Sequence, residues 1–518
     1  MEGLAYLDGG QNDQIYKDIP SLFYESVEKH PDIEAVVSIH QKPINLPGIS
    51  IGNGLSRLSW TYKQLKDASG SLAERLSSLG VCRGTPIAVF SQNRAEWSLF
   101  CWAAVQLGCP YVPLNPATIS DTQDLQYILS VICPGVVVLE SPDMVTDLEK
   151  NAPEEMLHAF LKVTLEELED RYILQEHHPA YYRSKEPSPP ESALVDKTNE
   201  VELGPRTIGW IHLPDLWPST PETSAFPKQK PRKSYDDTFF ILFTSGTTSF
   251  PKACPLSDSN LRIFVSFPKT KGLKAGRRTL MHAPPYHGFA STMSISSWCN
   301  GFTVVYPSPT FNVLASLNAA ESEGCQTMPA VPAMVNAFNL MSEVSRMKLR
   351  SLESVDLGAA PITPDVVSIC LNELKIPQIG VTWAMTESPA PMINHIIGEM
   401  PLDKEEFVSV GKPMRGTKIK ICAPDTRTPL KKNEEGELHI GGLQVIRGYL
   451  NAESDNFYEE EGVRWIVTGD LASVYHDGMV RIIGRRKDII IRGGVNIAPA
   501  HVERRLNSIH GVDVSCRP

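Results

Sequence analysis

The sequence lacks what would hold together a secreted scaffold, a nucleic-acid binder or a membrane protein. Its 10 cysteines are thinly spread through 518 residues, and no two are spaced CxxC. That argues against a disulfide framework or a zinc knuckle and for a reducing compartment. Positive charge is in deficit, with 49 Lys+Arg against 60 Asp+Glu and a net charge of -11. Binding nucleic acid in general draws on clustered positive charge, and a peripheral membrane anchor needs a basic excess. No apolar run approaches the roughly 20 residues of a membrane span. Met1-Glu2-Gly3-Leu4-Ala5 has neither the basic start nor the apolar core of a signal peptide. There is no internal repeat and no heptad pattern. These absences predict a soluble cytoplasmic enzyme with no nucleic-acid partner and no membrane span.

What is present is ordinary globular material, 42% hydrophobic and 21% charged. The length sets a prior of about three domains. Leu65, Ala68, Leu72, Leu76 and Leu79 recur at helical spacing, which predicts a helix over 62–80 with Gly80 as its stop. Residues 86–90 read as a buried strand. Asn93 with Glu96 reads as a capping pair opening an apolar helix to about Leu107, and 111–114 read as the next strand. Strands alternating with helices predict an α/β fold with a largely parallel sheet. Residues 179–231 hold ten prolines among polar residues and read as a long surface insertion. Over 408–470 short β-rich segments are punctuated by glycine, which predicts a small antiparallel subdomain.

The strongest motif is the apolar run Phe239-Phe240-Ile241-Leu242-Phe243 followed by Thr244-Ser245-Gly246-Thr247-Thr248-Ser249-Phe250-Pro251-Lys252. A buried strand enters a loop of hydroxyls and glycine, then a lysine. Such a loop aims N–H and O–H groups at phosphate oxygens, and Lys252 adds a point charge. The Walker spacing GxxxxGK[ST] is absent.

This loop resembles the phosphate loop TSG[ST]TGxPKG of the adenylate-forming superfamily, which holds acyl-CoA synthetases, luciferases and nonribosomal peptide synthetase adenylation domains. Ser249 and Ala253 stand where that pattern has glycine. A serine in a left-handed position costs about 1–2 kcal/mol. Further matches follow in the family's order. Gly358-Ala359-Ala360-Pro361 resembles the segment lying along the adenine, and Trp383-Ala384-Met385-Thr386-Glu387 resembles YGxTE. The resemblance implies that Trp383 packs beside the purine, Thr386 reaches a phosphate and Glu387 holds Mg²⁺. Gly436-Glu437-Leu438 and Gly448-Tyr449-Leu450 resemble a GEL…GY segment, read as structural. Trp465-Ile466-Val467-Thr468-Gly469-Asp470 resembles [WY]xxTGD, which implies Asp470 on the ribose hydroxyls. Gly484-Arg485-Arg486-Lys487-Asp488 resembles GRxxD, with Arg485 on ribose and phosphate and Lys487 as the hinge. His287, in Pro284-Pro285-Tyr286-His287-Gly288, resembles the histidine of the acid pocket. Amino-acid-activating members carry an aspartate in that region. The sequence shows no equivalent acid, which favours a fatty, aryl or other plain carboxylic acid.

The resemblance implies a large domain over 1–486, with α/β subdomains and the β-rich subdomain, then the start of a small α+β C-terminal domain over 487–518. The implied activity is formation of acyl-AMP from a small-molecule carboxylic acid and ATP with Mg²⁺, releasing pyrophosphate. A thiol, CoA or a carrier phosphopantetheine, then takes the acyl group. The alternatives are an adenylation module of a multidomain synthetase or carboxylate reductase, and a nucleotide-binding relic. The family's small domain brings a lysine to the reacting carboxylate, and residues 488–518 contain none. The sequence therefore reads as a C-terminally truncated member that adenylates weakly. Its end reads as a strand over 488–492, a loop over 493–496, a helix over about 499–507, a strand begun at Val512, and a mobile tail of about 25 residues.

Overall fold

The computed structural model describes residues 3–10, 17–47, 49, 56–167, 209–217, 237–244, 250–270, 272–397, 408–450, 452–492, 495–497, 499 and 502. Two large sheets run through it. One has seven strands in the spatial order Ala253–Ser257, Thr238–Phe243, Tyr111–Leu114, Ile87–Phe90, Val136–Leu139, Leu161–Thr164, Ile211–His212. All its pairs are parallel except the first. The other has nine, from Lys412–Pro413 through Ser388–Ile397, Gln378–Met385, Ser354–Leu357, Thr327–Ala330, Arg278–Leu280, Thr303–Tyr306 and Glu34–Ser38 to Leu58–Thr61.

Strand alternation divides the interior into three cores. Val36, Val304 and Tyr306 of the nine-stranded sheet join Ile87, Val89 and Phe240 of the seven-stranded sheet in one core. That core is filled by helices Ile19–Lys29, Tyr62–Ser78, Ala95–Leu107 and Gly288–Cys299. The alternate residues Val37, Val305, Val355 and Leu357 face outward onto helices Val313–Glu323 and Pro332–Asn339. Ala88, Phe90 and Val112 face helices Thr122–Ile132 and Pro142–Asn151. Successive side chains of a strand point to opposite faces, so both sheets are buried on both sides, as mostly parallel sheets require.

The predicted helix over 62–80 is Tyr62–Ser78, opened by a capping box between Thr61 and Gln64. The strands over 86–90 and 111–114 are Ile87–Phe90 and Tyr111–Leu114. The capping pair at Asn93 and Glu96 does not form. Helix Ala95–Leu107 has Arg94 at its N-cap without a side-chain cap bond. The Ala95 N–H instead donates to Gln41 Oε1 at 2.8 Å, and Gln41 Nε2 donates to Glu96 Oε2 at 2.7 Å. A residue distant in sequence caps the helix, which local pattern cannot show.

The β-rich subdomain extends past its expected end at 470. Thr417–Cys422, Gly436–Gly442, Val463–Val474, Phe457–Glu460 and Val480–Arg485 form an antiparallel sheet, and the N-terminal strand Tyr6–Asp8 adds an edge. Most of 179–231 lies outside the described residues. Its described part is not simply surface insertion, because Ile211–His212 supplies the last strand of the seven-stranded sheet. The loop expected over 493–496 is a strand in part: Val495–Ile497 pairs antiparallel with Ile490–Arg492. The helix expected over 499–507 falls mostly outside the described residues. The strand at Val512 and the tail lie outside them entirely. No helix among the described residues is long and apolar enough to cross a membrane.

His282 is sealed in the nine-stranded sheet. Its Nε2 lies 2.9 Å from the Pro329 carbonyl and its Nδ1 3.3 Å from Ser316 Oγ. Burial pulls its pKa down to about 4, against a smaller opposing effect of the Pro329 carbonyl. The unfolded chain protonates this ring near pH 6.5 while the folded chain does not. Its contribution to stability is therefore complete above about pH 6.5 and is lost as pH falls toward 4, about 3 kcal/mol in all. The melting temperature of His282→Gln is expected to fall less than that of the native chain between pH 7 and pH 5.

Candidate active site

The first motif sits on an edge hairpin. Ala253 lies opposite Phe243, and the antiparallel pair runs on to Ser257. The Thr244 N–H donates to the Lys252 carbonyl at 3.0 Å, and the Lys252 N–H donates to Thr244 Oγ1 at 3.3 Å. These two bonds close the stem of the loop. Ser245, Gly246, Thr247, Thr248 and Ser249 lie outside the described residues. Beyond them Phe250 stacks on Tyr127, centroids 4.5 Å apart. Ala253 occupies an ordinary strand position, so this chain needs no glycine there. Its carbonyl accepts the Leu450 N–H at 2.9 Å.

That bond brings the GY segment against the loop stem. The Lys252 ammonium lies 4.8 Å from the centre of the Tyr449 ring. Tyr449 Oη donates to Glu387 Oε1 at 2.6 Å. Thr386 and Glu387 form the two-residue turn between Gln378–Met385 and Ser388–Ile397, with Met385 opposite Ser388. The Glu387 carbonyl accepts the Ile446 N–H at 3.0 Å. Burial, and then the Glu387 charge, raise the Tyr449 pKa, so the phenol stays a donor. Tyr449 is thus a site residue rather than part of a purely structural segment. Its motif was visible in the sequence, but only the fold shows that it reaches Glu387.

The other end of the site centres on Asp470. Trp383 Nε1 donates to Asp470 Oδ2 at 3.0 Å, and Arg485 Nε lies 2.9 Å from Oδ1. Asp470 and Arg485 are direct partners across the antiparallel pair. Arg485 Nη1 also donates to the Thr468 carbonyl at 3.1 Å, and the Asp470 N–H donates to Thr468 Oγ1 at 3.1 Å. Burial raises the Asp470 pKa, while Arg485 and Trp383 pull it back. Each carboxylate oxygen keeps acceptor capacity for a ligand hydroxyl.

The segment after strand Ser354–Leu357 runs beside Thr382, the residue before Trp383. A Cβ at Gly358 would come 3.1 Å from the Thr382 carbonyl and 3.8 Å from the Phe289 ring, so glycine permits a close backbone approach. Ala359 has φ 61, a left-handed conformation uncommon outside glycine. Ala359 and Ala360 are exposed. His287 immediately precedes helix Gly288–Cys299 and makes no side-chain cap bond. Partial burial lowers its pKa, which keeps the imidazole neutral. Lys487 lies in the turn Arg486–Asp488, where Arg486 is held by Asp425 at 2.8 Å and Glu437 at 3.3 Å.

The AMP-binding enzyme family model matches residues 23–450, and the chain belongs to that family. An acyl-CoA ligase of Pestalotiopsis microspora is 25% identical over 99% of this chain and 85% of its own length. A mitochondrial medium-chain acyl-CoA ligase of Mus musculus is 26% identical over 97% of this chain and 76% of its own. The O-succinylbenzoate coenzyme A synthetase of Bacillus subtilis, solved with ATP and a magnesium ion, has the same fold. The TM-score is 0.68 at 22% identity, covering 94% of this chain and 84% of that one.

Tyr449→Phe removes the described donor to Glu387 but keeps the ring beside Lys252. Its KM for MgATP in pyrophosphate exchange should rise about fivefold, the worth of one hydrogen bond near 1 kcal/mol. Asp470→Ala releases Trp383 and Arg485 together and should raise the same KM by at least about tenfold.

Proposed function

We propose that this chain is an acid–thiol ligase that converts a carboxylic acid and ATP to an acyl-AMP and then to a CoA thioester. The observation that carries the reading is the convergence of two groups from separate parts of the chain. Lys252, Tyr449 and Glu387 form one end, and Trp383, Asp470 and Arg485 the other. The similarity to acyl-CoA ligases supports CoA over a carrier domain as the thiol acceptor.

A carboxylate resists nucleophiles because it already carries negative charge, so activation must give it a leaving group. Asp470 and Arg485 would bind the ribose, Trp383 and the exposed 358–360 backbone would flank the base, and the loop stem would aim Lys252 at the phosphates. Glu387 suits magnesium: it is a hard carboxylate on a tight turn, and no described group donates to its Oε2. Magnesium is commonly held by one or two carboxylates plus substrate phosphates, and when bound it neutralises charge on the leaving pyrophosphate. Neutral His287 would orient the substrate carboxyl. Positioning and charge stabilisation supply most of the rate in such transfers. A cytoplasmic, reducing location is also part of the proposal, and the nine free cysteines among the described residues support it.

Hydroxamate trapping across an acid panel with MgATP tests the reading, on this chain and on a version extended past Pro518. Glu387→Ala should lower the rate about 10²–10³-fold, as loss of a preorganised charge contact does. No hydroxamate from any acid would favour the relic reading, and unchanged turnover in Glu387→Ala would remove Glu387 from the proposed machinery.

A further inference from the structure

Resting on the ligase reading, we propose that Asp356 is a specificity-determining residue of the acyl pocket. It selects acids that carry a hydroxyl or amino hydrogen-bond donor distal to the reacting carboxyl.

Three observations place it. Asp356 is in the strand Ser354–Leu357, and its neighbours Val355 and Leu357 face the outer core. Alternation turns Asp356 to the opposite face, toward the layer between the two sheets. Its direct partners across the sheet are Pro329 and Gly380. A Cβ at position 380 would overlap Asp356 Oδ1, so the carboxylate leans over the neighbouring strand into space that glycine leaves open. Two residues further along the chain, Gly358 meets the Phe289 ring of the helix that follows His287. Asp356 is therefore in line with the segment expected to flank the adenylate and faces the same layer as the pocket helix.

Asp356 is central in a nine-stranded sheet, yet the residue is only half-buried. In the middle of a covered sheet, such partial exposure is what a substrate space between the layers would give. No hydrogen bond or ion pair to Asp356 is found among the described residues, and burial raises its pKa to about 6. Buried polar groups ordinarily have partners, and a carboxylate without one is costly. A substrate donor would supply the partner. Two strand residues span about 7 Å, which sets the separation of that donor from the carboxyl end. A para-substituted benzoate or an ω-substituted hexanoate reaches about that far.

Asp356 belongs to none of the motifs and lies far from His287 in the sequence. Asp356 comes from an adjacent strand, and only its register brings it to this face.

Matched pairs test the proposal: para-aminobenzoate and para-hydroxybenzoate against benzoate, and ω-hydroxyhexanoate against hexanoate. Hydroxamate trapping should give the native chain a preference of about tenfold or more for the donor-bearing member of at least one pair. Asp356→Leu should abolish that preference while leaving the donor-free acid at or above its native kcat/KM. Equal preference in the native chain, or an equal fall for both members in the variant, overturns the proposal and leaves Asp356 a structural residue. Calorimetric titration of the same acids in the presence of AMP reads Asp356 without turnover. Donor-selective binding lost in Asp356→Leu, with no hydroxamate formed from any acid, would refute the ligase reading and keep this one. Binding without donor selectivity would refute this one alone. Melting temperature within about 2 °C of native confirms that the variant folds.

Discussion

The Asp470 carboxylate ties a side chain of the nine-stranded sheet to one of the β-rich sheet, across a core the two sheets share. One oxygen takes the indole N–H of Trp383, from the nine-stranded sheet. The other takes the guanidinium of Arg485, from the neighbouring strand of the β-rich sheet. A buried carboxylate is tolerable because both oxygens are engaged by donors. The two donors in turn are held where a nucleotide could meet an aromatic face, a carboxylate and a cation together. Removing the carboxylate would leave an indole and a guanidinium with separate supports.

The other end of the site is organised by the same economy of contacts. Leu450 joins the loop stem by one backbone bond, and Tyr449 then reaches Glu387. Glu387 is fixed from both sides, by the phenol on its side chain and by Ile446 on its carbonyl. A two-residue turn gives little freedom to the backbone it joins. Asp356 is positioned by a longer-range version of this logic, since sheet register alone decides which face it occupies.

The alternating α/β architecture was legible in the sequence because it rests on local periodicity. Leu65 to Leu79 declares a helix face, and the runs at 86–90 and 111–114 declare buried strands. The residue types at the site were legible through their motifs. What the sequence hid were contacts between distant segments. Gln41 caps the helix that Asn93 and Glu96 were expected to open, because its amide satisfies Ala95 and Glu96 at once. Tyr6–Asp8 joins a sheet formed otherwise by residues beyond 416. Tyr449 looked structural until pairing brought it to Glu387. Asp356 carried no motif, and its importance comes from the missing side chain at Gly380.

The bonds between Thr244 and Lys252 make these two residues fixed posts for the segment between them. Because the posts belong to a sheet edge, the chain closes the loop whatever its tip contains. Alanine suits position 253 because the post is a strand, and a strand accepts a methyl group.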